Sequence, residues 1–286
     1  MIDLASIFKD MDRMKEITKE TVERARAKEP KRICFATTHA SEPKRKSPPP
    51  FVGTINVPFG EGFNRLFPHT LFPNPRDRYH EDSYWLGIES EEDFEEIDAW
   101  VKSQGERVFL RDCLYTSIAM SHNFTDDGER TEIGELEYRA KQNHDMEAVE
   151  ALAEHCANTI MDIPLYGKAD MVCAIPPRPD KGFDLPSLAV SIISGKIGKE
   201  DITGHFSFAA EKRSVKSATL DEKWDAWNDA AIAFNDDLTD KKIILIDDKY
   251  QSGTTIQYIA MKLQEAGAHH VLGLSMVKTM RDTDNQ

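Results

Sequence analysis

Residues 241–277, KKIILIDDKYQSGTTIQYIAMKLQEAGAHHVLGLSMV, restrict the fold more than any other part of the chain. KKIILIDD (241–248) is a nearly uninterrupted apolar run closed by two acids, and HVLGLSMV (270–277) is a second such run. Neither alternates apolar with polar residues, so both read as strands buried on both faces. Between them Ile256, Ile259, Ala260, Leu263 and Ala266 recur at spacings of three and four, the signature of a helix with one apolar face. Gly267 stands where a left-handed C-terminal cap is wanted. Strand, helix and strand in that order require a crossover between parallel neighbours. Upstream, DMVCAIPP (170–177) is another short apolar run, stopped by prolines, and LPSLAVSIIS (185–194) has helical spacing. The expected fold class is therefore α/β, with a parallel sheet covered on both faces.

The turn between the two halves of this unit lies at the carboxyl end of a parallel strand, where open α/β sheets bind ligands. Peptide N–H groups from Gln251 to Thr255 sit at a helix N-terminus, Gly253 lets backbone approach closely, and Ser252, Thr254 and Thr255 add hydroxyl donors. Such a turn suits a phosphate. Asp247 and Asp248 are consecutive, so their side chains leave in different directions, and beside a phosphate they are suited to accepting hydrogen bonds from sugar hydroxyls. A phosphate at one end and a diol at the other describe a ribose 5-phosphate.

The rest of the chain is less eloquent. Ile7, Phe8, Met11, Met14 and Ile17 predict a helix with one buried face within residues 5–25, and RICFATT (32–38) predicts a short buried strand. From there to about residue 80 the composition predicts irregular structure with short strands. Ser90 followed by acids predicts a helix start, with an acidic, solvated face. Residues 129–160 predict helix, interrupted by a polar break near 142–145. The formal net charge of −14 repels polyanions and argues against a general nucleic-acid binder. EPKRKSPPP (42–50) is the one basic patch and reads as a solvated proline-rich loop. With 40% hydrophobic residues, no run of eighteen apolar residues and no signal peptide, the chain is expected to be cytoplasmic, with no membrane partner. Cys34, Cys113, Cys156 and Cys173 lack CxxC spacing and read as reduced thiols, Cys173 as a core residue. The nine histidines, including His39, His69, His80, His122, His269 and His270, show no HExxH pattern and read as surface or loop residues.

The stretch IILIDDKYQSGTT (243–255) resembles the PRPP (phosphoribosyl pyrophosphate) motif of type I phosphoribosyltransferases: four apolar residues, two acids, a variable pair, then a hydroxyl-rich turn with Gly and a closing Thr. It departs from that pattern in Gln251-Ser252, where two threonines are usual, and in Lys249-Tyr250, where apolar residues are commoner. AIPPRPDKGFDLPSLA (174–189), EKRSVKSATLDEKWDAWNDAAIAF (211–234) and RTEIGELEYRAKQNHDMEAVEALA (130–153) extend the likeness to the ComF-like (competence-protein) family, across about residues 108–286. That family's N-terminal zinc-ribbon cysteines, the Arg at Lys181 and a glutamine in the basic stretch are absent.

The resemblance implies a type I phosphoribosyltransferase core over 108–286, with residues 1–107 as an N-terminal α+β extension or hood of unknown role. It implies transfer of ribose 5-phosphate from PRPP to an unidentified nucleophile, a nucleobase among the candidates, with release of pyrophosphate. Catalytic roles fall to Asp247 and Asp248, which would hold the ribose hydroxyls, and to Lys212 and Arg213, with Lys216, in a mobile lid that screens the sugar from water. Lys249, Tyr250, Gln251, Ser252, Gly253, Thr254 and Thr255 would bind the substrate, and Pro177, Arg178 and Lys181 would face pyrophosphate. Mg²⁺ would arrive on the pyrophosphate, without direct protein ligands. The partners implied are PRPP and a small-molecule acceptor, with no bulk nucleic acid and with a homodimer left open. The competing expectations are a non-catalytic PRPP or nucleotide sensor and an accessory protein of DNA uptake or mobile-element defence.

Overall fold

The computed structural model describes residues 14–37, 42–45, 49–57, 66, 84–179, 181–210 and 219–282. Its centre is a seven-stranded sheet ordered β1 (Arg32–Cys34), β4 (Val108–Leu110), β5 (Thr116–His122), β11 (His270–Lys278), β10 (Lys242–Tyr250), β6 (Met171–Ala174) and β7 (Glu200–Asp201). The last five run parallel, while β1 and β4 are antiparallel at one edge. Two antiparallel ribbons lie outside it, β2 (Gly53–Val57) with β3 (Tyr84–Ile88), and β8 (Phe206–Phe208) with β9 (Ile232–Phe234). The α/β expectation with a mostly parallel sheet holds.

Burial explains the sequence pattern. Every residue of β11 is buried, and so are Ile243 to Ile246 of β10, because helices cover both faces. On one face α8 (Thr254–Glu265) comes so close that a Cβ at Gly273 would crowd Ser117, Leu114 and Ile256. On the other, Cys156 of α4 (Met146–Asp162) meets Met120 of β5, three residues from Ser117 and so on the opposite face of an alternating strand. α4 packs on both α3 (Glu132–Asn143) and α6 (Leu185–Ile197), and α7 (Leu220–Asp229) packs on α8. The single turn α5 (Pro164–Gly167) buries Tyr166, whose hydroxyl donates to the Gly273 carbonyl at 2.7 Å.

Local chemistry sets the helix ends. Ser90 caps α2 (Glu91–Ser103) by accepting from the Asp93 N–H, as its sequence suggests. The polar break in 129–160 is His144, left-handed at φ 52°, followed by Asp145, which accepts from the Glu147 and Ala148 N–H groups to start α4. The first helix is shorter than expected: α1 spans Lys19–Arg26, and residues 14–18 are not helical although Met14 and Ile17 are buried. A reciprocal capping box between Thr18 and Thr21 begins the helix there. The remainder of that expected helix, residues 5–13, lies outside the described residues.

Other expectations need correction. RICFATT contributes only three strand residues. β5 carries no continuous apolar run and mixes Thr116, Ser117 and Ser121 into its interior. β10 runs two residues beyond Asp248, because β11 extends far enough to pair Lys249 with Val277 and Tyr250 with Lys278. His270 is no surface histidine: it is 1% exposed, opens β11 and stacks on Tyr115 with ring centroids 3.5 Å apart. Within the basic patch, Lys44 bridges Thr54, and Arg45 lies 4.1 Å over the Phe94 ring while pairing with Glu91. The four cysteines are free thiols, and Cys173 is fully buried. Among the described residues no helix is long and apolar enough to cross a membrane.

Candidate functional site

The strand order creates a crevice. From β6 the chain moves outward to β7, whereas from β10 it moves the opposite way to β11, so the connections of these two neighbours diverge at their carboxyl ends. A crevice at such a switch point is the usual ligand site of an open α/β sheet. The segment after β6 carries Pro177, Arg178 and Lys181, and the turn after β10 carries residues 251–255, so the two segments singled out by sequence border one crevice. They part at a fixed place: the Ile175 N–H donates to the Ile246 carbonyl at 2.9 Å, one residue before Asp247.

The turn has a built geometry. Gly253 adopts φ 75° and is the N-cap of α8, so its position offers no side chain to the first-turn N–H groups. A Cβ there would also collide with the Tyr250 hydroxyl, so glycine is required twice over. Tyr250 is buried beneath the turn, and its hydroxyl donates to Asp112 Oδ2 at 3.1 Å. Asp112 Oδ1 accepts the Leu114 N–H at 3.0 Å. Burial pushes the Asp112 carboxyl up to about 6, against the pull of these hydrogen bonds. Ser252 and Thr254 are buried with their hydroxyls 3.0 Å apart, while Gln251 and Thr255 are half-buried. Gln257 in the first turn ties the helix to the segment before β5, accepting the Cys113 N–H at 3.0 Å and donating to the Gly253 carbonyl at 3.1 Å.

The two acids have unlike surroundings. Asp247 is driven above the ordinary carboxylate range, to about 7, first by burial and then by the neighbouring Asp248 charge; Lys141 pulls it the other way. Its Oδ1 accepts the Asp248 N–H at 2.9 Å. Asp248, 8% exposed, meets Lys141 Nζ through Oδ2 at 2.5 Å. Burial alone would depress the Lys141 ammonium, but Asp248, Glu137 and Asp247 outweigh it and hold its pKa above the usual lysine value. Lys249 Nζ in turn lies 3.0 Å from Glu137 Oε1. Charges therefore alternate along Asp248, Lys141, Glu137 and Lys249.

The opposite bank is capped by Asp184, the N-cap of α6, which accepts from the Ser187 N–H and hydroxyl and from Lys181 Nζ at 2.6 Å. Lys181 is thus turned onto its own loop, and its backbone N–H donates to the Arg178 carbonyl at 3.0 Å. Phe183 stacks on His144, with centroids 4.1 Å apart, and bridges this loop to the end of α3. Among the described residues no three His, Cys, Asp or Glu side chains converge as a metal cage.

The structure thus brings Asp247, Asp248, Lys249, residues 250–255, Pro177, Arg178 and Lys181 to one end of the sheet, while Lys212, Arg213 and Lys216 lie outside the described residues. Sequence reasoning missed Lys141 and Glu137, whose signal was an i,i+4 Glu–Lys pair within the segment 130–153, and Asp112, which carries no motif at all. No protein-family model matches the chain, and a search of curated proteins returns no match.

Proposed function

We propose that the crevice between β6 and β10 binds PRPP and transfers its ribose 5-phosphate to a nucleophile, releasing pyrophosphate. The observation that carries this reading is the position of the acid pair and the glycine turn, on one strand–turn–helix unit, beside the proline loop across a topological switch point. A phosphate at the N-terminus of α8 would place the ribose back along β10, toward Asp247 and Asp248, and the pyrophosphate toward Arg178. This is the arrangement expected of a type I phosphoribosyltransferase core, and the parallel order β7, β6, β10, β11 suits it.

The reaction is displacement at the anomeric carbon. The bond to the incoming nucleophile forms as the C–O bond to pyrophosphate breaks, and the electron pair leaves with pyrophosphate. Positive charge builds on the ring, and an Asp248 carboxylate accepting from the ribose hydroxyls would favour it. Asp247, holding its proton nearer neutrality, can donate to or accept from a hydroxyl. Mg²⁺ carried on the pyrophosphate supplies charge neutralisation of the leaving group.

The test incubates the full chain with Mg²⁺, PRPP and a panel of nitrogen nucleophiles, and follows PRPP binding by calorimetry and pyrophosphate release by a coupled assay. Binding and acceptor-dependent release are expected, and the double variant Asp247→Asn/Asp248→Asn should lose at least about tenfold in affinity. Unchanged affinity in the double variant places the site elsewhere. Tight binding with no release across the panel replaces the transferase with a sensor.

A further inference from the structure

We propose that Lys141 of α3 is a positioning residue of the ribose site, holding the Asp248 carboxylate aimed at the sugar; this rests on the PRPP reading above. The case starts with how α3 is docked. Thr131 caps the helix, accepting the Gly134 N–H at 3.0 Å and donating to the His122 carbonyl at 2.6 Å, which fastens the helix start to the end of β5. At Gly134 the helix comes so close to the Asn123 carbonyl that a Cβ would collide with it. From this seat, Glu137 and Lys141, one turn apart on the same helix face, project over the carboxyl ends of the strands toward β10.

The charge arrangement gives Lys141 its task. Asp247, Asp248, Glu137 and Asp184 gather around the crevice, and a phosphorylated sugar would meet them as like charges. Lys141 answers three of them: it contacts Asp248 at 2.5 Å, stands 3.8 Å from Glu137 and lowers the proton affinity of Asp247. Because it engages Asp248 through Oδ2, the other carboxylate oxygen is the one to accept a sugar hydroxyl. Lys249, across Glu137, fixes that carboxylate in turn, so the aim of Lys141 is set from both sides.

The experiment compares Lys141→Met, Lys141→Gln and Lys141→Arg with the wild type for Mg·PRPP affinity by calorimetry across pH 5.5–8.5 (about 0.5-unit steps), with thermal unfolding as the folding control. Met and Gln are expected to weaken binding about tenfold or more, the size of a lost charge-assisted hydrogen bond, and Arg to recover part of it. The pH at which affinity falls on the acid side is expected to move upward in Met and Gln, because Asp247, without the Lys141 charge, then holds its proton more tightly. A purely structural lysine would leave that pH unmoved. Equal or tighter binding in folded Lys141→Met, or an unmoved pH profile, overturns the inference and makes Lys141 a plug or a bystander. Absence of PRPP binding in the wild type sinks the PRPP reading itself, and this inference with it.

Discussion

Asp112 and Tyr250 show how one residue pair outside the acid pair supports the glycine turn 251–255. The buried hydroxyl of Tyr250 lies where a Cβ at Gly253 would collide with it and donates a hydrogen bond to Asp112, so Tyr250 has a partner waiting in the segment before β5. Asp112 keeps its proton to about pH 6 when folded and releases it near 3.8 when unfolded, so between those values the folded state binds the extra proton. The contribution of Asp112 to stability must therefore fall as pH rises through that window, and that of Asp247 falls on to about 7. Asp112→Asn should remove on the order of 1–3 kcal/mol of that fall between about pH 4 and 6, leaving the part above 6, as read from urea denaturation at each pH. A slope in that window identical to the wild type's means Asp112 is ionised in the fold. None of this was legible in the sequence, since Asp112 and Tyr250 are 138 residues apart and no spacing rule connects them.

At the scale of elements, α3 matters most, because it brings Lys141 to Asp248 and Glu137 to Lys249. Gly134→Ala should force it off the Asn123 carbonyl, a backbone atom with little room to yield, at about 1–3 kcal/mol of stability, the usual cost of overpacking. It should also weaken PRPP binding, since Lys141 moves with the helix; loss of stability with unaltered binding would separate the helix from the site. The existence of α3, α4, α6, α8, β6, β10 and β11 could be read from apolar period and length. Their ends could be read only where a particular residue marks them, as Asp145 does before α4 and Gly267, at φ 101°, does after α8. β5 could not be read, because a central strand with serine and threonine inside it looks like a loop until its neighbours supply the pairing. The first helix was over-extended because buried Met14 and Ile17 keep helical spacing, whereas the chain there is irregular and tied by Ile17 N–H and the Lys15 carbonyl to Gln264 of α8.

Across the whole molecule, segments from both ends of the chain grip the same sheet. β1 joins its edge, Gln264 holds residues 15–17, and Asp282 pairs with Arg32 of β1 and with the buried Lys278 at 3.0 Å. The buried apolar residues from Met14 to Val277 form one continuous cluster. Residues on either side of position 107 should therefore unfold together: far-ultraviolet circular dichroism and the fluorescence of single-tryptophan variants retaining Trp100 or Trp227 should give coincident urea transitions. A transition reported by Trp100 at lower urea than that of Trp227 would show that the extension unfolds by itself.

The sequence alone determined the α/β class, the parallel unit 241–277 and the acid pair with its glycine turn, because burial on two faces, helical period and a positive-φ turn each leave a local mark on residue choice. Only the tertiary structure decided that β6 and β10 sit side by side with diverging connections, that Asp248 is ion-paired to Lys141, and that Tyr250 is anchored by Asp112. Those contacts join residues 107 and 138 positions apart, and pairings of that kind are chosen by which strands neighbour one another and how closely helices can approach them, which no local pattern encodes.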